Sequence, residues 1–316
     1  MPSFDSVKER GRGFLVHSMR ACIANDRLPW IAKYLYVTGC QLLLPALGIE
    51  SDETPLESEY GTKFVAGPGA FWLNSTLRSR GVWEPVLSEF ILRHVQEGDV
   101  CVDVGAHMGY FSLLFAQRVG PSGKVIAIEA APDTVRRLRA NLALNGATGI
   151  VDVVEAACAP QKGETPFYLN SKLAEWSRLT PPAKGNRYRR ITGIWTPGTW
   201  IPVTVAADTL TSIVGADAPR VSFIKVDIEG AETAITPQIA AGFSHPKLVV
   251  ALEVIPPIEA TLMPFEERGF YIYDLHNDYH WIFERKVPAI TEAAYGDFYH
   301  RAAADVLLSR QPLALS

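Results

Sequence analysis

Cysteine pairs, charge of one sign and long uninterrupted apolar runs are all scarce in this chain. Its four cysteines, Cys22, Cys40, Cys101 and Cys158, form no C-x-x-C pair. A structural zinc and a disulfide framework are therefore not expected. Cys101 and Cys158 fall in or beside apolar strands, where thiols behave as small hydrophobes. A formal charge of −4 over 316 residues and a pI near 6.0 leave no electrostatic footprint for nucleic acid, so no nucleic-acid partner is expected. The opening MPSFDSVKERGRGF lacks the apolar core of a secretory signal, which points to a reducing, cytoplasmic compartment. Residues 28–49 are apolar, but Lys33 and Gln41 interrupt them and Pro45 would break a spanning helix. A packed or partner-facing helical segment is the expectation there, with peripheral membrane contact or a homodimer as the contacts it admits.

Two nucleotide signatures are missing as well. No Gly-Lys-Ser or Gly-Lys-Thr marks a Walker loop, and G-x-G-x-x-G fails at its second glycine, where His107 stands. What is present is DVGAHMGYFS over residues 103–112. An apolar strand ends at Asp103–Val104, a small-residue turn runs from Gly105 through Ala106 and His107 to Gly109, and helical periodicity starts at Tyr110. Such a unit directs backbone N–H groups and a helix N-terminus toward an electron-rich ligand. With pyrophosphate disfavoured, the remaining ligand has a ribose and an adenine but no phosphate. Glu129 ends the next apolar strand about 20 residues on, where ribose hydroxyls are bound, and Ala130 follows it.

Residues 1–60 read as a helical extension and an acidic linker over 50–59, and 61–316 as the enzyme domain. A hairpin is expected from 62–66 to 70–73 around Gly67-Pro68-Gly69, and then a helix from Glu84 to about Val95. Glu84 sits in its first turn, where a carboxylate caps the helix or faces a substrate. Strands and helices alternate from Asp99: strands at 100–104, 125–129, 151–156, 223–227 and 249–254, and helices at 110–119, 132–145 and 231–241. A close pair at 270–275 and 280–283 is expected to form an antiparallel edge. The fold class is α/β, a doubly wound, mostly parallel sheet. Its carboxyl edge collects Asp103, Glu129, Ala156, Asp227 and Glu253. Ala156 and Ala157 would let an adenine slide against the strand end, and tight helix packing explains either alanine equally well.

Three segments carry a family resemblance: DVGAHMGYFS with EAAP, VEAACA, and FIKVDIEGAE. With the approach segment GVWEPVLSEF they span roughly residues 61–275, about two thirds of the chain. In these the chain resembles a class I S-adenosylmethionine-dependent methyltransferase of the FkbM family. KVDIEGAE after a strand is the specific motif. The resemblance implies a Rossmann-like seven-stranded sheet, S-adenosylmethionine as cofactor, and O-methylation of a sugar, glycolipid or polyketide-type natural product. On this reading Asp103, Gly105 and Gly109 form the loop under the methionine part, Glu129 holds the ribose and Ala156 lines the adenine site, with Ala106, His107, Tyr110, Ala130, Ala157 and Asp227 also expected at the cofactor.

A hydroxyl acceptor must lose its proton, so a base is expected nearby. Asp227 is the first choice for base or acceptor anchor, then Glu229. Lys225, two residues before Asp227 on a strand, points to the same face and would form an ion pair with it. Glu253 completes an acidic trio that could hold Mg²⁺ through oxygen ligands, although nothing in the sequence establishes a metal. His276 follows a strand end, and either it or His107 could be a general base. Residues 171–200 interrupt the core as a long insertion holding Arg178, Arg187, Arg189 and Arg190 with Trp176, Trp195 and Trp200. Loops of this length serve as lids or stand as solvated flaps. Trp195 with Glu84, Lys225 and Glu253 makes up the expected acceptor side. An N-methyltransferase of the same fold, a nicotinamide-dependent oxidoreductase and a non-enzymatic binding module are the alternatives.

Overall fold

The computed structural model describes residues 55–65, 71–170, 177–179, 199–277 and 287–315, and parts of 14–40. The described residues of 14–40 are mostly helical, and Met19, Ile23, Val37 and Cys40 pack together. Lys33, which interrupts the apolar run in sequence, is buried and donates from Nζ to the Ile23 carbonyl at 3.0 Å. Pro45 lies outside the described residues. Among them no helix is long and apolar enough to cross a membrane.

Strands β1 (Pro55–Glu57) and β2 (Lys63–Val65) pair antiparallel. This corrects both the linker expected over 50–59 and the hairpin expected from 62–66 to 70–73. The turn between the strands is closed by Ser58, whose N–H donates to the Thr62 carbonyl at 2.8 Å and whose hydroxyl lies 2.7 Å from that of Thr62. Residues Phe71–Ser79 form helix α1 instead of a strand, because Leu73 and Leu77, four apart, both reach the core. The expected boundary at residue 60 therefore falls inside a hairpin. Gly67-Pro68-Gly69 lies outside the described residues.

The central sheet follows: α2 (Pro85–His94), β3 (Val100–Val104), α3 (Tyr110–Val119), β4 (Lys124–Glu129), α4 (Pro132–Leu144) and β5 (Val151–Glu155). Next, β6 (Ala157–Cys158), β7 (Gly163–Asn170) and β8 (Trp200–Asp208) form a separate three-stranded sheet. Then come α5 (Leu210–Val214), β9 (Val221–Val226), α6 (Thr236–Gly242), β10 (Val249–Val254), α7 (Ile258–Glu266), β11 (Tyr271–Asp274), β12 (Thr291–Ala293) and β13 (Ala304–Ser309).

The order in the sheet is β12-β11-β13-β10-β9-β3-β4-β5. The five strands from β10 to β5 are parallel, and β13, β11 and β12 run antiparallel to their neighbours. The Rossmann-like sheet of seven strands is present, with β12 as an eighth at the edge. Among the described residues the antiparallel element is β13, inserted between β10 and β11; the pairing expected of 280–283 lies outside the described residues.

Strand order reverses between β3 and β9, which makes their carboxyl ends the switch point where ligands of such sheets bind. Alternate residues serve two cores: Cys101, Phe223, Ala251 and Leu307 on one face, Val102, Ile224, Val250 and Leu308 on the other. Period-two alternation then puts Asp103, Lys225, Asp227, Glu253 and Asp305 all on the first face, along the carboxyl edge. In the second sheet Asn170 faces Trp200 across an antiparallel ladder, so the 171–200 insertion leaves the tip of a hairpin with its two ends adjacent.

Candidate active site

Two halves meet at the switch point. The cofactor half begins at Asp103, fully buried, with Oδ2 accepting a 2.6 Å hydrogen bond from the Ser112 hydroxyl and Oδ1 hydrogen-bonded to nothing. Burial raises its pKa, against Lys225 and the Ser112 bond. Gly105 has φ +79°, and a Cβ there would lie 1.8 Å from the Asp227 carbonyl oxygen. Only glycine lets β3 and β9 close on each other at this point. Gly109, at φ +91°, would drive a Cβ to 2.6 Å from Leu138 Cδ1.

The loop donors are spent differently from the sequence expectation. The N–H groups of Gly105 and Ala106 both go to the Ile128 carbonyl, at 2.9 and 3.0 Å, and that of Gly109 goes to Ala106. The N–H of His107 goes to Glu129 Oε2 at 2.9 Å, while Oε1 takes the Ala131 N–H at 2.9 Å. These bonds fix Glu129, whose pKa burial nevertheless raises. Each carboxylate oxygen keeps a lone pair for a hydroxyl. His107 adopts φ +50°, and its Nε2 is buried without a partner. Burial lowers its pKa to about 4, so the ring is neutral near pH 7 and offers a hydrogen bond rather than a charge.

Three other expected cofactor residues do different work. Tyr110 is buried on Phe64, with ring centroids 5.8 Å apart, and its hydroxyl accepts the Trp83 N–H at 3.1 Å and meets the Ser88 hydroxyl at 3.1 Å. It secures the segment that carries Glu84. Ala130 and Ala157 pack into a small cluster with Phe167 and Val205. For them tight packing is the reading the structure gives. Ala156 is tied to β4 by its N–H to the Glu129 carbonyl at 3.1 Å. Glu155 is turned to Arg139 at 3.3 Å.

The acceptor half is a row of carboxylates around one buried cation. Lys225 Nζ lies 3.0 Å from Asp227 Oδ2, 4.0 Å from Asp103 Oδ1 and 5.0 Å from the Phe111 ring centroid. Burial opposes its charge, but Asp227, Asp103 and Glu84 outweigh that and raise its pKa. The ion pair permitted by spacing is thus formed, and Asp227 is an anchored carboxylate.

Glu84 stands before α2 at φ +41° and makes no side-chain cap bond. The capping role is absent; its carboxyl is instead half-buried among the acids of the edge. Burial, with Asp305 and Asp227, raises its pKa to about 8. Glu253 faces Asp305 directly across the β10–β13 ladder. Burial and the carboxylates of Asp227 and Asp305 push Glu253 well up, and burial with Asp227 lifts Asp305 to about 7.

Glu229, at φ +56°, is paired within reach of this row: its carboxylate binds Arg178 at 2.7 Å, and its charge still acts on Glu253. Arg178 also lies over the Trp200 ring, at 5.7 Å, and bridges Tyr168. The insertion therefore reaches the KVDIEGAE turn through Arg178. Trp195, Trp176, Arg187, Arg189 and Arg190 lie outside the described residues. The expected trio of Asp227, Glu229 and Glu253 does not converge, and among the described residues no three metal-ligating side chains are grouped around a point. His276, at φ +49°, is also occupied elsewhere, with Nε2 at 2.7 Å from the Thr291 hydroxyl and Nδ1 at 3.5 Å from Asp274.

Sequence reasoning missed two positions. Glu232 Oε1 accepts the N–H groups of Ile228, at 3.2 Å, and Gly230, at 3.0 Å, and so shapes the turn after Asp227. Its place at the end of KVDIEGAE was the available signal. Asp305 had only a weak one, a single acid in the strand ADVLLS.

The residues fit S-adenosylmethionine. Asp103 Oδ1 and His107 Nε2 are buried polar atoms without a hydrogen bond, Glu129 can accept a further hydrogen bond from a ribose hydroxyl, and two glycines open the floor beside them. The methyltransferase sdnD of Sordaria araneosa is 27% identical, with 64% of this chain and 86% of the relative covered. A protein-L-isoaspartate O-methyltransferase of Aeropyrum pernix is 44% identical over 47% of this chain and 48% of its own length, so this chain spans about half of that relative. Among solved structures, an S-adenosylmethionine-dependent O-methyltransferase of Thermotoga maritima is similar at 15% identity and a TM-score of 0.39, covering 83% of this chain and 79% of that one. The methyltransferase FkbM domain family matches residues 103–261, half of the chain. That match runs from the first residue of the cofactor half past Glu253 in the acceptor half, and the chain belongs to this family of class I S-adenosylmethionine-dependent methyltransferases.

Proposed function

We propose that this methyltransferase methylates a hydroxyl of a polyhydroxylated acceptor, such as a sugar, glycolipid or polyketide-type natural product. The observation that supports this reading most is the carboxylate row Glu84, Asp227, Glu253 and Asp305 beside the cofactor half. Carboxylates accept hydrogen bonds from hydroxyls, and neighbouring hydroxyls of a polyol can share one carboxylate. A phosphorylated or carboxylated acceptor would meet like charge there.

When bound, S-adenosylmethionine supplies an electrophilic methyl on a positively charged sulfur. Asp103 and His107 would hold its methionine part, Glu129 its ribose, and Ala156 the adenine edge. Asp227, braced by Lys225, orients the acceptor oxygen, while Glu84 and Glu253 hold neighbouring hydroxyls. Fixing the oxygen in line contributes up to about 7–11 kcal/mol in the best-aligned systems. Relatives named as O-methyltransferases agree with an oxygen acceptor.

The test is mass spectrometry of small-molecule extracts incubated with protein and methyl-labelled cofactor. Label on the oxygen of a neutral polyol is expected. Label only on nitrogen, or only on anionic acceptors, would overturn the reading.

A further inference from the structure

Among the described residues, the acceptor half carries more carboxylates than cations paired with them. Among the described residues, Arg178 is held by Glu229, Lys225 by Asp227 and Arg301 by Asp274. Glu84, Glu253 and Asp305 are left converging on the same stretch of edge, with Glu253 and Asp305 opposed across one rung of a ladder. Like charges this close do not all ionise. Either protons or a bound cation must relieve them.

No three metal-ligating side chains are grouped here among the described residues. The cofactor of this family, however, brings its own cation, a sulfonium. On the other side of Lys225, Asp103 Oδ1 is fully buried and hydrogen-bonded to nothing, an independent sign that a polar ligand completes this edge.

We propose that Asp305, together with Glu84 and Glu253, is a proton store read by the cofactor's charge: it holds a shared proton in the free enzyme, releases it when the sulfonium is bound, and then serves as the base for the acceptor hydroxyl. This rests on the methyl-transfer reading above. Asp305 is faced by Lys225 from β9 and Asp227 just after it, Glu253 from β10, Asp274 from β11 with Arg301 bonded to it, the Asn277 side chain that bonds Asp305, and Glu84 ahead of α2. Burial and these acids place Asp305 at about 7 and Glu84 at about 8, within reach of a positive neighbour at neutral pH.

The charges balance through the step. Asp305 takes the O–H proton as the acceptor oxygen bonds the methyl carbon and the C–S electron pair stays on sulfur. A carboxylate and a sulfonium become a carboxyl and a thioether, so the edge is neutralised both before and after transfer.

Two ligands that differ at the sulfur alone in charge make the test. Calorimetric titration of the full chain with S-adenosylmethionine and with S-adenosylhomocysteine, at pH 7 in buffers of different ionisation enthalpy, counts protons released per ligand bound. On the order of one proton more is expected for S-adenosylmethionine. That difference should shrink by half or more in Asp305→Asn, and also in Glu84→Gln, with S-adenosylhomocysteine affinity kept within about threefold. Equal proton counts for the two ligands overturn the proton store alone. An unchanged difference in both variants overturns its assignment to these residues. Failure of both ligands to bind overturns the methyl-transfer reading and this proposal with it.

Discussion

Glu129 and Glu84 are the same residue type at the same sheet edge, yet the protein treats them in opposite ways. Glu129, at the end of β4, has an N–H donor on each oxygen, from Ala131 and His107. Glu84 has no cap bond, an unusual backbone and acidic neighbours. The cofactor half satisfies its charges with backbone, and the acceptor half leaves charges for a ligand to satisfy. Four non-glycine residues among those described have left-handed φ: Glu84, His107, Glu229 and His276. Three of them border this edge, where strain held in place by surrounding structure is commonly found.

The comparison breaks most sharply at the residue between the halves. Lys225→Met removes a buried cation from two carboxylates and should cost about 3–5 kcal/mol of stability, measured by chemical denaturation. Less than 1 kcal/mol would mean the halves do not share this charge. Gly105→Ala attacks the cofactor half alone. Its Cβ would overlap the Asp227 carbonyl, so a loss of at least about 3 kcal/mol is expected, and unchanged stability would show that the loop is not closed on β9.

A pH titration sharpens the contrast further. The carboxyls of Glu84, Glu253 and Asp305 lie above their ordinary values in the folded protein, so the folded state binds more protons than the unfolded chain in this range. Their contribution is complete below the unfolded value near 4 and is lost as pH rises through about 7 to 8. The melting temperature should therefore fall between pH 6 and pH 9, by about 2–4 °C for each kcal/mol in a domain of this size. Asp305→Asn should flatten that fall, and an equal slope in the variant would place the protons elsewhere. The smallest effect is reserved for the insertion. Arg178→Ala should cost about 1 kcal/mol or less and raise the acceptor KM while leaving S-adenosylhomocysteine affinity unchanged.

The two halves also differed in how legible they were. Most of the cofactor half lies within residues 100–131, and its strand, turn and helix follow from local signals: apolar density, two glycines and a periodic run. Helix α3 and strand β10 stand where periodicity placed them. The acceptor half is assembled from β9, β10, β13 and the turn before α2, which come from distant parts of the chain. Asp305 reaches Glu253 only because β13 inserts antiparallel between β10 and β11, and strand pairing of that kind has no local signature. Lys225 was legible because two residues along a strand share a face. Glu229 was misplaced because its partner, Arg178, arrives from an insertion whose ends meet only through the β7–β8 ladder. Tyr110 was misplaced for the opposite reason: its neighbours in sequence are loop residues, but its hydroxyl is taken by Trp83 and Ser88.

The division of the edge is tested most directly by calorimetric titration with S-adenosylhomocysteine of the wild type, Glu129→Gln and Glu253→Gln. Gln at 129 sets an amide N–H₂ against a backbone N–H, which leaves a buried donor unpaired at about 1–3 kcal/mol, so affinity should fall by about tenfold or more. Glu253→Gln should bind within about threefold of the wild type. Equal losses in the two variants, or no binding by the wild type at high micromolar ligand, would contradict the account.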